Sequence, residues 1–342
     1  MKIAVVASPV TPLRPAQLGG AQAFVSDLAL GLVRRDHDVR LFCAEGSDVA
    51  GVTLVTVPAP ADADAALVMP GGPPPPAAPG VEAAFRALFE RIHEWKPNAI
   101  SQHAFDAPAF ELAQSLPVLH TLHLPPLVPA VVQAAAAVPP ASLATVSRSC
   151  RDAWNVAGIG ISRVLYNGVP DVPPDDAPNA RHALIAGRLS PEKGVEHAIA
   201  AAKEARLPVV VAGAHYDPAY AVDLGEVRYM GSLPRAELWR LMARSAVTVC
   251  AVRWEEPFGM VAAEAQMAGC PVAAYRSGAM PEVIEEGVSG FLAGPDDIHE
   301  LAAAIKRCTG LDREAVRASA RRRLGLEPAL QRYEAALLGV AR

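Results

Sequence analysis

Two α/β domains, each a doubly wound parallel sheet covered by helices, are the fold that the amino-acid sequence predicts. Short apolar runs of strand length alternate with longer segments of helical periodicity along nearly the whole chain. A proline-rich acidic segment at 168–178 interrupts this alternation and is typical of a linker. At about 100–200 residues per domain, the 342 residues also fit two domains.

The first half contains seven predicted strands. They are Ile3–Ala7, Val39–Cys43, Thr53–Val57, Ala99–Gln102, Val118–Leu122, Leu143–Ser147 and Ser162–Tyr166. Apolar residues recur at helical spacing within Ala21–Arg35, which predicts a helix there. A second helix is predicted over Val81–Trp95, because it follows a Pro/Gly-rich loop at 70–80 and ends before Pro97.

The second half repeats this alternation. Its predicted strands are His182–Ala186, Val209–Ala212, Val227–Met230, Val247–Ala251, Pro271–Ala274 and Phe291–Leu292. Its predicted helices are Gly194–Ala205, Arg235–Arg244, Val261–Met267, Pro281–Glu286, Ile298–Arg307, Arg313–Arg323 and Pro328–Leu338. We therefore expect an N-terminal domain (1–168), a linker (169–180), a C-terminal domain (181–325) and a closing helix (326–342). Ligands are expected at the carboxyl ends of the strands, in the cleft between the domains.

The composition narrows the function classes. A net charge of −5 disfavours a nucleic-acid partner, and the run of Arg317 with 321–323 is predicted to be a solvated helix face rather than a contact for an anionic membrane. Five cysteines without a C-x-x-C pair predict neither disulfides nor a zinc site and favour the cytoplasm. The apolar run at 1–7 is too short for a signal peptide, and no run reaches the ~20 residues of a membrane span.

Several nucleotide and metal motifs are absent from the sequence. No G-x-G-x-x-G follows the first strand, and the chain contains neither a G-x-x-x-x-G-K-[ST] phosphate loop nor an H-E-x-x-H metal motif. Asp62 and Asp64 have D-x-D spacing, but they lie in an Ala/Pro-rich segment without further ligands and are predicted to be solvated surface. We therefore expect no metal and no cofactor.

Two glutamates, Glu256 and Glu264, flank a predicted strand–loop–helix junction. A carboxylate accepts hydrogen bonds from vicinal hydroxyls, which suits Glu264 to a ribose diol and Glu256 to sugar hydroxyls. The amides at the start of the helix, where a diphosphate binds well, belong to Phe258, Gly259, Met260 and Val261. The alternative interpretation is that both glutamates are ordinary exposed acids at a helix start.

A second segment, 187–194, also follows a predicted strand and opens a helix. Its Arg188 and Lys193 would neutralise the charge that builds on a diphosphate leaving group. The alternative is a surface turn that caps a helix. Gly19 and Gly20, just before the first helix, would allow close approach to a phosphate or an acceptor, or form a flexible loop.

Together these segments resemble the retaining glycosyltransferases of family 4, which have the GT-B fold of two Rossmann-like domains. The resemblance lies in E-x7-E at Glu256–Glu264, in G-R-L-x-x-x-K-G at Gly187–Gly194, and in weaker matches that cover nearly the whole chain. The weaker matches are Gly19-Gly20, His123, Asn167-Gly168-Val169 and the segment Ser277–Ile284. The resemblance also implies a last helix that packs back on the N-terminal domain.

The resemblance implies roles for these residues. Arg188 and Lys193 would hold the donor diphosphate, with Gly20, Gly187 and the amides of 258–261 also on the donor side. Glu256 would contact the transferred sugar, Glu264 the ribose, and His123 the reacting sugar from the acceptor side. His103 and His120 receive no such role, and His120 is predicted to be packed. Ala279, where the family often has glycine, leaves the identity of the sugar open.

The expected reaction is metal-independent transfer, with retention, of a sugar from a nucleotide-diphosphate donor, UDP by family frequency. A chain short for the family favours a small-molecule acceptor, and a homodimer is allowed. Two rivals stay open: a sugar-nucleotide epimerase on the same architecture, and a non-catalytic sugar-nucleotide sensor. Arg188, Lys193 and the helix amides would absorb the charge of the departing diphosphate, so catalysis would be mostly positioning and electrostatics.

Overall fold

A computed structural model describes residues 1–15, 19–66, 76–173, 181–215 and 220–342. The chain forms two compact units. Unit 1 comprises Met1–Pro15, Ala21–Asn167 and Ala329–Arg342, and unit 2 comprises Ala16–Gly20 and Gly168–Pro328. Part of the predicted linker (174–180) and of the predicted Pro/Gly-rich loop (70–75) lies outside the described residues.

The sheet of unit 1 has seven parallel strands, as predicted. They are β1 (Lys2–Val6), β2 (Asp38–Ala44), β3 (Thr53–Val57), β4 (Ala99–Gln102), β5 (Val118–Leu122), β6 (Leu143–Thr145) and β7 (Arg163–Val164). Their order is β3-β2-β1-β4-β5-β6-β7, so the order reverses between β1 and β4. Near-continuous apolar runs form these strands because a parallel sheet is covered on both faces.

Five helices follow strands of unit 1. They are α1 (Gly20–Arg34), α2 (Pro79–Trp95), α3 (Ala107–Glu111), α4 (Pro129–Ala136) and α5 (Arg148–Val156). The helices α3, α4 and α5 were not predicted from the sequence, since α3 and α4 are short and the residue that caps α5 was assigned to a strand. Ser147, predicted at the end of that strand, instead caps α5, with its Oγ accepting a hydrogen bond from the Cys150 amide at 3.0 Å.

The sheet of unit 2 has six parallel strands. They are β8 (Ala183–Ala186), β9 (Val209–Ala212), β10 (Arg228–Tyr229), β11 (Val247–Cys250), β12 (Val272–Tyr275) and β13 (Gly290–Ala293). The order β10-β9-β8-β11-β12-β13 reverses between β8 and β11. In a doubly wound sheet such a switch point opens a crevice at the carboxyl ends of the two strands. The predicted doubly wound architecture is therefore confirmed in both units.

The remaining helices cover the second sheet and end the chain. They are α6 (Val195–Glu204), α7 (Arg235–Arg244), α8 (Met260–Met267), α9 (Met280–Val283), α10 (Ile298–Cys308), α11 (Arg313–Leu324) and α12 (Leu326–Val340). The apolar face of α10, with Leu301 and Ile305 fully buried, packs in the core of unit 2. Asp297 caps this helix by accepting from the Glu300 amide at 2.9 Å.

The last helix, α12, returns to unit 1. Its Tyr333 is fully buried, with its ring centroid 5.4 Å from that of Phe24 on α1. Glu334 accepts hydrogen bonds from Nε and Nη2 of Arg35 at 3.1 and 2.6 Å. The apolar contact and the ion pair together dock the helix, and the predicted packing of the last helix on the N-terminal domain is confirmed.

The arginine run of α11 is only in part the solvated face that was predicted, since Arg321 and Arg322 are exposed. Arg317 is buried, and Arg323 donates from Nη2 to the main-chain oxygen of Glu282 at 2.7 Å. Arg321 forms a two-point ion pair with Asp171, with both N–O distances at 2.9 Å. Arg317 and Arg323 therefore anchor α11 to its own unit, and only part of the run remains available at the surface.

Other surface predictions have mixed outcomes. Asp62 accepts from the Gly80 amide at 2.8 Å and is partly buried, so it fixes the start of α2, whereas Asp64 is exposed as predicted. All five cysteines are buried, and none of them forms a disulfide. Among the helices that the structure describes, none is both long and apolar enough to cross a bilayer.

Candidate active site

The loops after β8 and β11 lie side by side at the switch point of the second sheet. The two strands pair directly and in parallel, so both loops leave from the same edge. One loop carries 187–194 and the other 251–259. A Cβ built on Gly187 would lie 3.8 Å from Cγ2 of Val261, at the start of α8. The two segments that the sequence analysis singled out are therefore neighbours.

Arg188 is held by a buried carboxylate of its own loop. Its Nη2 donates to Oε1 of Glu192 at 3.2 Å, and the same oxygen accepts from Oγ of Ser190 at 2.7 Å. The Arg188 side chain is 21% exposed, whereas that of Glu192 is 6% exposed. Glu192 thus holds the guanidinium, and part of the Arg188 side chain remains exposed.

The backbone of this loop requires glycine at both ends. Gly187 has φ of 120° and Gly194 has φ of 57°, both in the left-handed region. A Cβ on Gly194 would lie 2.1 Å from the main-chain oxygen of Ala251 in the neighbouring loop. Glycine therefore allows the close approach that places Lys193, the residue before Gly194, beside the second loop.

Glu256 is buried and paired, so the alternative of an exposed acid is wrong for it. Its Oε2 accepts from Nζ of Lys193 at 2.6 Å and from Nε1 of Trp254 at 2.9 Å. Burial alone would raise the pKa of the Glu256 carboxyl, but the charge and hydrogen bond of Lys193, the Trp254 hydrogen bond and the charge of Arg188 outweigh it, and the pKa is lowered. The carboxylate therefore stays ionised in a buried position.

The N-terminus of α8 forms the third part of the site. Gly259 caps the helix with φ of 92°, a left-handed conformation that turns the chain directly into Met260. Phe258 and Met260 are buried. The first amides of an α-helix have no partner within the helix and carry its positive partial charge, which suits the amides of Gly259, Met260 and Val261 to an anion, whereas Phe258 precedes the cap.

Glu264, in the second turn of α8, is also buried rather than exposed. Its Oε1 accepts from Nε of Arg235 at 2.8 Å and lies 2.7 Å from Nη2 of the same side chain. Arg235, the first residue of α7, was not among the predicted site residues. No local signal identifies it, because the two partners are 29 residues apart and meet only when α7 and α8 pack.

The segment Ser277–Ala279 is hydrogen-bonded to the backbone of the loop that carries Glu256. The Ala279 amide donates to the main-chain oxygen of Glu256 at 2.8 Å, and Oγ of Ser277 donates to that of Trp254 at 2.5 Å. Gly278 has φ of 52°, and a Cβ on it would lie 2.3 Å from both the main-chain N and O of Glu256. The position of Glu256 therefore depends on a bare backbone at Gly278.

We expect Gly278→Ala to lower turnover about 10- to 100-fold, because the added methyl must push the Glu256 backbone out of place and catalysis is sensitive to shifts of about 1 Å. Gly287→Ala is a matched control, since Gly287 also has positive φ (83°) but open space where a Cβ would be. Turnover and thermal midpoint of both variants are measured. If both variants lost the same turnover, backbone strain alone would explain the effect of Gly278→Ala.

In unit 1, His123 follows β5 and is part of a buried chain of polar groups. Its Nε2 lies 2.9 Å from Nδ1 of His103, whose Nε2 lies 2.8 Å from Oγ of Ser101. Burial lowers the pKa of His123 to about 4, and burial together with His123 lowers that of His103 well below its usual value. Both imidazoles are neutral at pH 7. The sequence analysis gave His103 no role, whereas the structure places it against His123.

His120 is packed, as predicted. Its ring stacks on Phe110 with centroids 4.6 Å apart, and neither ring nitrogen has a hydrogen-bond partner among the described residues. Burial lowers its pKa from 6.5 to about 3. Between these values the unfolded chain binds more protons than the folded one, so stability is lost as the pH falls through this window.

We expect His120→Phe to remove that loss. Between pH 7 and pH 5, the free energy of unfolding should fall by about 2 kcal/mol less in the variant than in the wild type. Urea unfolding at the two pH values measures the difference. His93→Gln, at an exposed position of α2, is the control and should leave the pH dependence unchanged. A His120→Phe protein with the wild-type pH dependence would show that His120 is not buried in its neutral form.

The predicted site residues therefore fall in both units. Arg188, Lys193, Glu256, Glu264 and the start of α8 gather in unit 2, whereas His123 lies in unit 1; Gly20 opens α1 and is grouped with unit 2. Among the residues that the structure describes, no three His, Cys, Asp or Glu side chains gather as metal ligands would.

Solved structures with low sequence identity share the fold over the whole chain. An Anabaena protein, HepE, in complex with UDP-glucose has a TM-score of 0.76 at 21% identity, covering 99% of this chain and 100% of that one. A glycosyltransferase involved in avilamycin A biosynthesis has a TM-score of 0.74 at 21% identity, covering 99% and 98%. The fold of this chain is therefore GT-B.

Curated relatives match over shorter segments. The glycogen synthase of Mycobacterium tuberculosis is 34% identical over 135 residues, which is 36% of this chain and 32% of that protein. The D-inositol 3-phosphate glycosyltransferase of Thermobifida fusca is 41% identical over 81 residues, or 24% and 18%. The matched part is thus about a third or less of the length of each of these relatives.

Two family models match the chain, one in each half. The model described as Glycosyltransferase Family 4 matches residues 18–171, and that described as Glycosyl transferases group 1 matches residues 175–323. The first spans most of the sheet that carries His123, and the second contains every donor-side residue discussed above except Gly20. With one model matching each half, the chain is a glycosyltransferase whose first half belongs to Glycosyltransferase Family 4 and whose second half belongs to the Glycosyl transferases group 1.

Proposed function

We propose that the protein transfers a sugar from a UDP-sugar to a hydroxyl of a small-molecule acceptor in the cytoplasm, with retention of configuration and without a metal ion. One observation carries the proposal. Arg188, Lys193 and the positive end of α8 meet at the switch point of the second sheet, with the buried carboxylate of Glu256 between them. This is a receptor for a diphosphate next to a group that accepts sugar hydroxyls.

In the proposed reaction the bond between the anomeric carbon and the diphosphate oxygen breaks, and the acceptor oxygen bonds to the same face of that carbon. The departing phosphate oxygen takes the proton of the acceptor hydroxyl. Arg188, Lys193 and the amides of 258–261 stabilise the negative charge that develops on the leaving group. Because these donors are fixed before the reaction, little reorganisation is needed when the charge appears.

His123 is proposed to contact the reacting sugar from the acceptor side. Its low pKa of about 4 makes it a neutral hydrogen-bonding group at pH 7 rather than a proton donor in its charged form. Its Nδ1 is buried and has no partner among the described residues, so it retains capacity for one hydrogen bond. This supports a role in orienting a hydroxyl.

The choice of UDP is supported by the Anabaena complex with UDP-glucose, whose fold this chain shares. A small acceptor is supported by the relative from Thermobifida fusca, which is named for D-inositol 3-phosphate. The cytoplasmic location is supported by five buried cysteines, none of which forms a disulfide.

The test is an NMR assay of anomeric signals with a panel of UDP-sugars in EDTA, first with the donor alone and then with polyols, inositol phosphates and monosaccharides. Transfer to an acceptor with the donor's α or β configuration retained supports the proposal. A changed sugar with donor alone identifies an epimerase instead. Tight binding without turnover of any donor or acceptor identifies a sensor, and activity that requires Mg²⁺ contradicts metal independence.

A further inference from the structure

Each of the two glutamates of the site is paired with a cation that lies near an indole ring. Lys193 donates to Glu256, and its Nζ lies 5.5 Å from the ring centroid of Trp254. Arg235 donates to Glu264, and its guanidinium carbon lies 4.6 Å from the ring centroid of Trp239. The first of these groups includes a residue that the family motif contains, Lys193, whereas Arg235 belongs to no motif that the sequence analysis found.

Arg235 is fixed on two sides. Trp239 lies one turn further along α7, so its ring supports the face of the guanidinium within the same helix. On the other side, Nε and Nη2 both approach Oε1 of Glu264, at 2.8 and 2.7 Å. The Arg235 and Glu264 side chains are 18% and 8% exposed. A planar guanidinium between an aromatic ring and a carboxylate has little rotational freedom left, and it restricts the carboxylate equally.

Both contacts go to Oε1, and the described residues place no donor on Oε2 of Glu264. The rotation of the carboxylate is therefore set through one oxygen, while the other is the acceptor that a ligand can use. A vicinal diol donates two hydrogen bonds, and a carboxylate that is already oriented receives them without the cost of ordering its side chain. The geometry thus makes Glu264 a preorganised acceptor.

We propose that Arg235 is a positioning residue, supported by Trp239, which aims Glu264 at the ribose diol of the donor and so makes the site selective for ribonucleotides over 2′-deoxyribonucleotides. The inference rests on the proposed function, since it takes a nucleotide donor as the ligand. It adds to that function a residue outside the known motifs and a measurable selectivity. Arg235 acts through Glu264 and need not touch the ligand.

The experiment is titration calorimetry of the full chain with UDP and 2′-deoxy-UDP, and with the GDP and ADP pairs in case the base is not uracil. A hydrogen bond to a charged group contributes enough for the wild type to prefer the ribonucleotide about 10- to 100-fold. For Arg235→Met we expect this preference to fall below about threefold, because UDP loses affinity while the 2′-deoxy compound changes little. Arg235→Lys, which keeps a charge without the planar fork, should give an intermediate preference.

Arg240→Met is the matched control, since Arg240 is an exposed residue on the same helix. It should keep the wild-type preference, and thermal midpoints show whether each variant is folded. A purely structural role for Arg235 predicts that its loss lowers the midpoint and weakens both nucleotides by the same factor; that result overturns the inference. So does an Arg235→Met protein with the wild-type preference. A wild type that binds no nucleoside diphosphate overturns the proposed function as well, which separates the two failures.

Discussion

Lys193→Met is expected to abolish most of the activity and to destabilise the protein at the same time. Lys193 would stabilise the leaving diphosphate, and loss of one such electrostatic contact costs about 100- to 1,000-fold in turnover. The same side chain neutralises Glu256, whose carboxylate is buried and lies 2.6 Å away. Removing one partner of a buried ion pair leaves the other charge unpaired, which costs roughly 3 kcal/mol or more.

A double variant separates the loss of turnover from the loss of stability. Lys193→Met with Glu256→Gln removes both charges, so we expect it to regain much of the lost stability while turnover stays low. Lys203→Met is the control, because Lys203 is paired with Glu226 at the surface and such pairs contribute little. Thermal midpoints and turnover are compared across the set. Full turnover in either Lys193 variant would show that this cation has no part in catalysis.

The single variant has a further consequence for pH. In the wild type the pKa of Glu256 is lowered because Lys193 and the hydrogen bonds overcome the effect of burial. Stability from this group is present above the carboxyl's ordinary pKa of 4.5 and is lost as the pH falls through its lowered pKa. Without Lys193, burial dominates and raises the pKa of the Glu256 carboxyl. The remaining activity of Lys193→Met should therefore decline as the pH falls and Glu256 becomes protonated.

Arg188→Ala is expected to lower turnover by a similar factor, about 100- to 1,000-fold, with much less loss of stability. The Arg188–Glu192 contact is longer than the Lys193–Glu256 contact, 3.2 Å against 2.6 Å, and Glu192 keeps the hydrogen bond from Ser190 when the guanidinium is removed. We therefore expect the weaker ion pair to cost less stability when its cation is lost.

The control for this prediction is Arg188→Lys. It keeps the charge but loses the fork that binds two phosphate oxygens at once, so we expect an intermediate turnover. Steady-state kinetics with saturating donor gives the turnover, and a thermal scan gives the midpoint. A loss of stability as large as that of Lys193→Met would mean that Arg188 mainly holds its loop together.

Strands and long helices of this fold could be predicted from the sequence because each has its own local pattern. The apolar runs around β1 and β9, for example, predict buried parallel strands almost to the residue. The helices α3 and α4 are too short for periodicity to show, and α5 depends on a single cap at Ser147. Where a local pattern is short, packing against the rest of the chain decides the structure.

In the candidate site, too, the residues in local motifs could be predicted, whereas the contacts between distant segments could not. Arg188, Lys193, Glu256 and Glu264 were identified because they lie in contiguous motifs at strand ends. The contacts that orient the two glutamates join distant segments: Arg235 reaches Glu264 from another helix, and Lys193 reaches Glu256 from another loop, 63 residues away. His103 was overlooked for the same reason, because β4 and β5 bring it to His123 only when they pair side by side.

Titration calorimetry of UDP and UMP in the presence of EDTA, with the wild type and the Arg188→Ala variant, tests the proposed diphosphate site most directly. We expect the wild type to bind UDP much more tightly than UMP without any metal, and this preference for the β-phosphate to collapse in the variant. If the wild type binds UDP no better than UMP in EDTA, the cations at the switch point do not receive a diphosphate and the proposed chemistry is wrong.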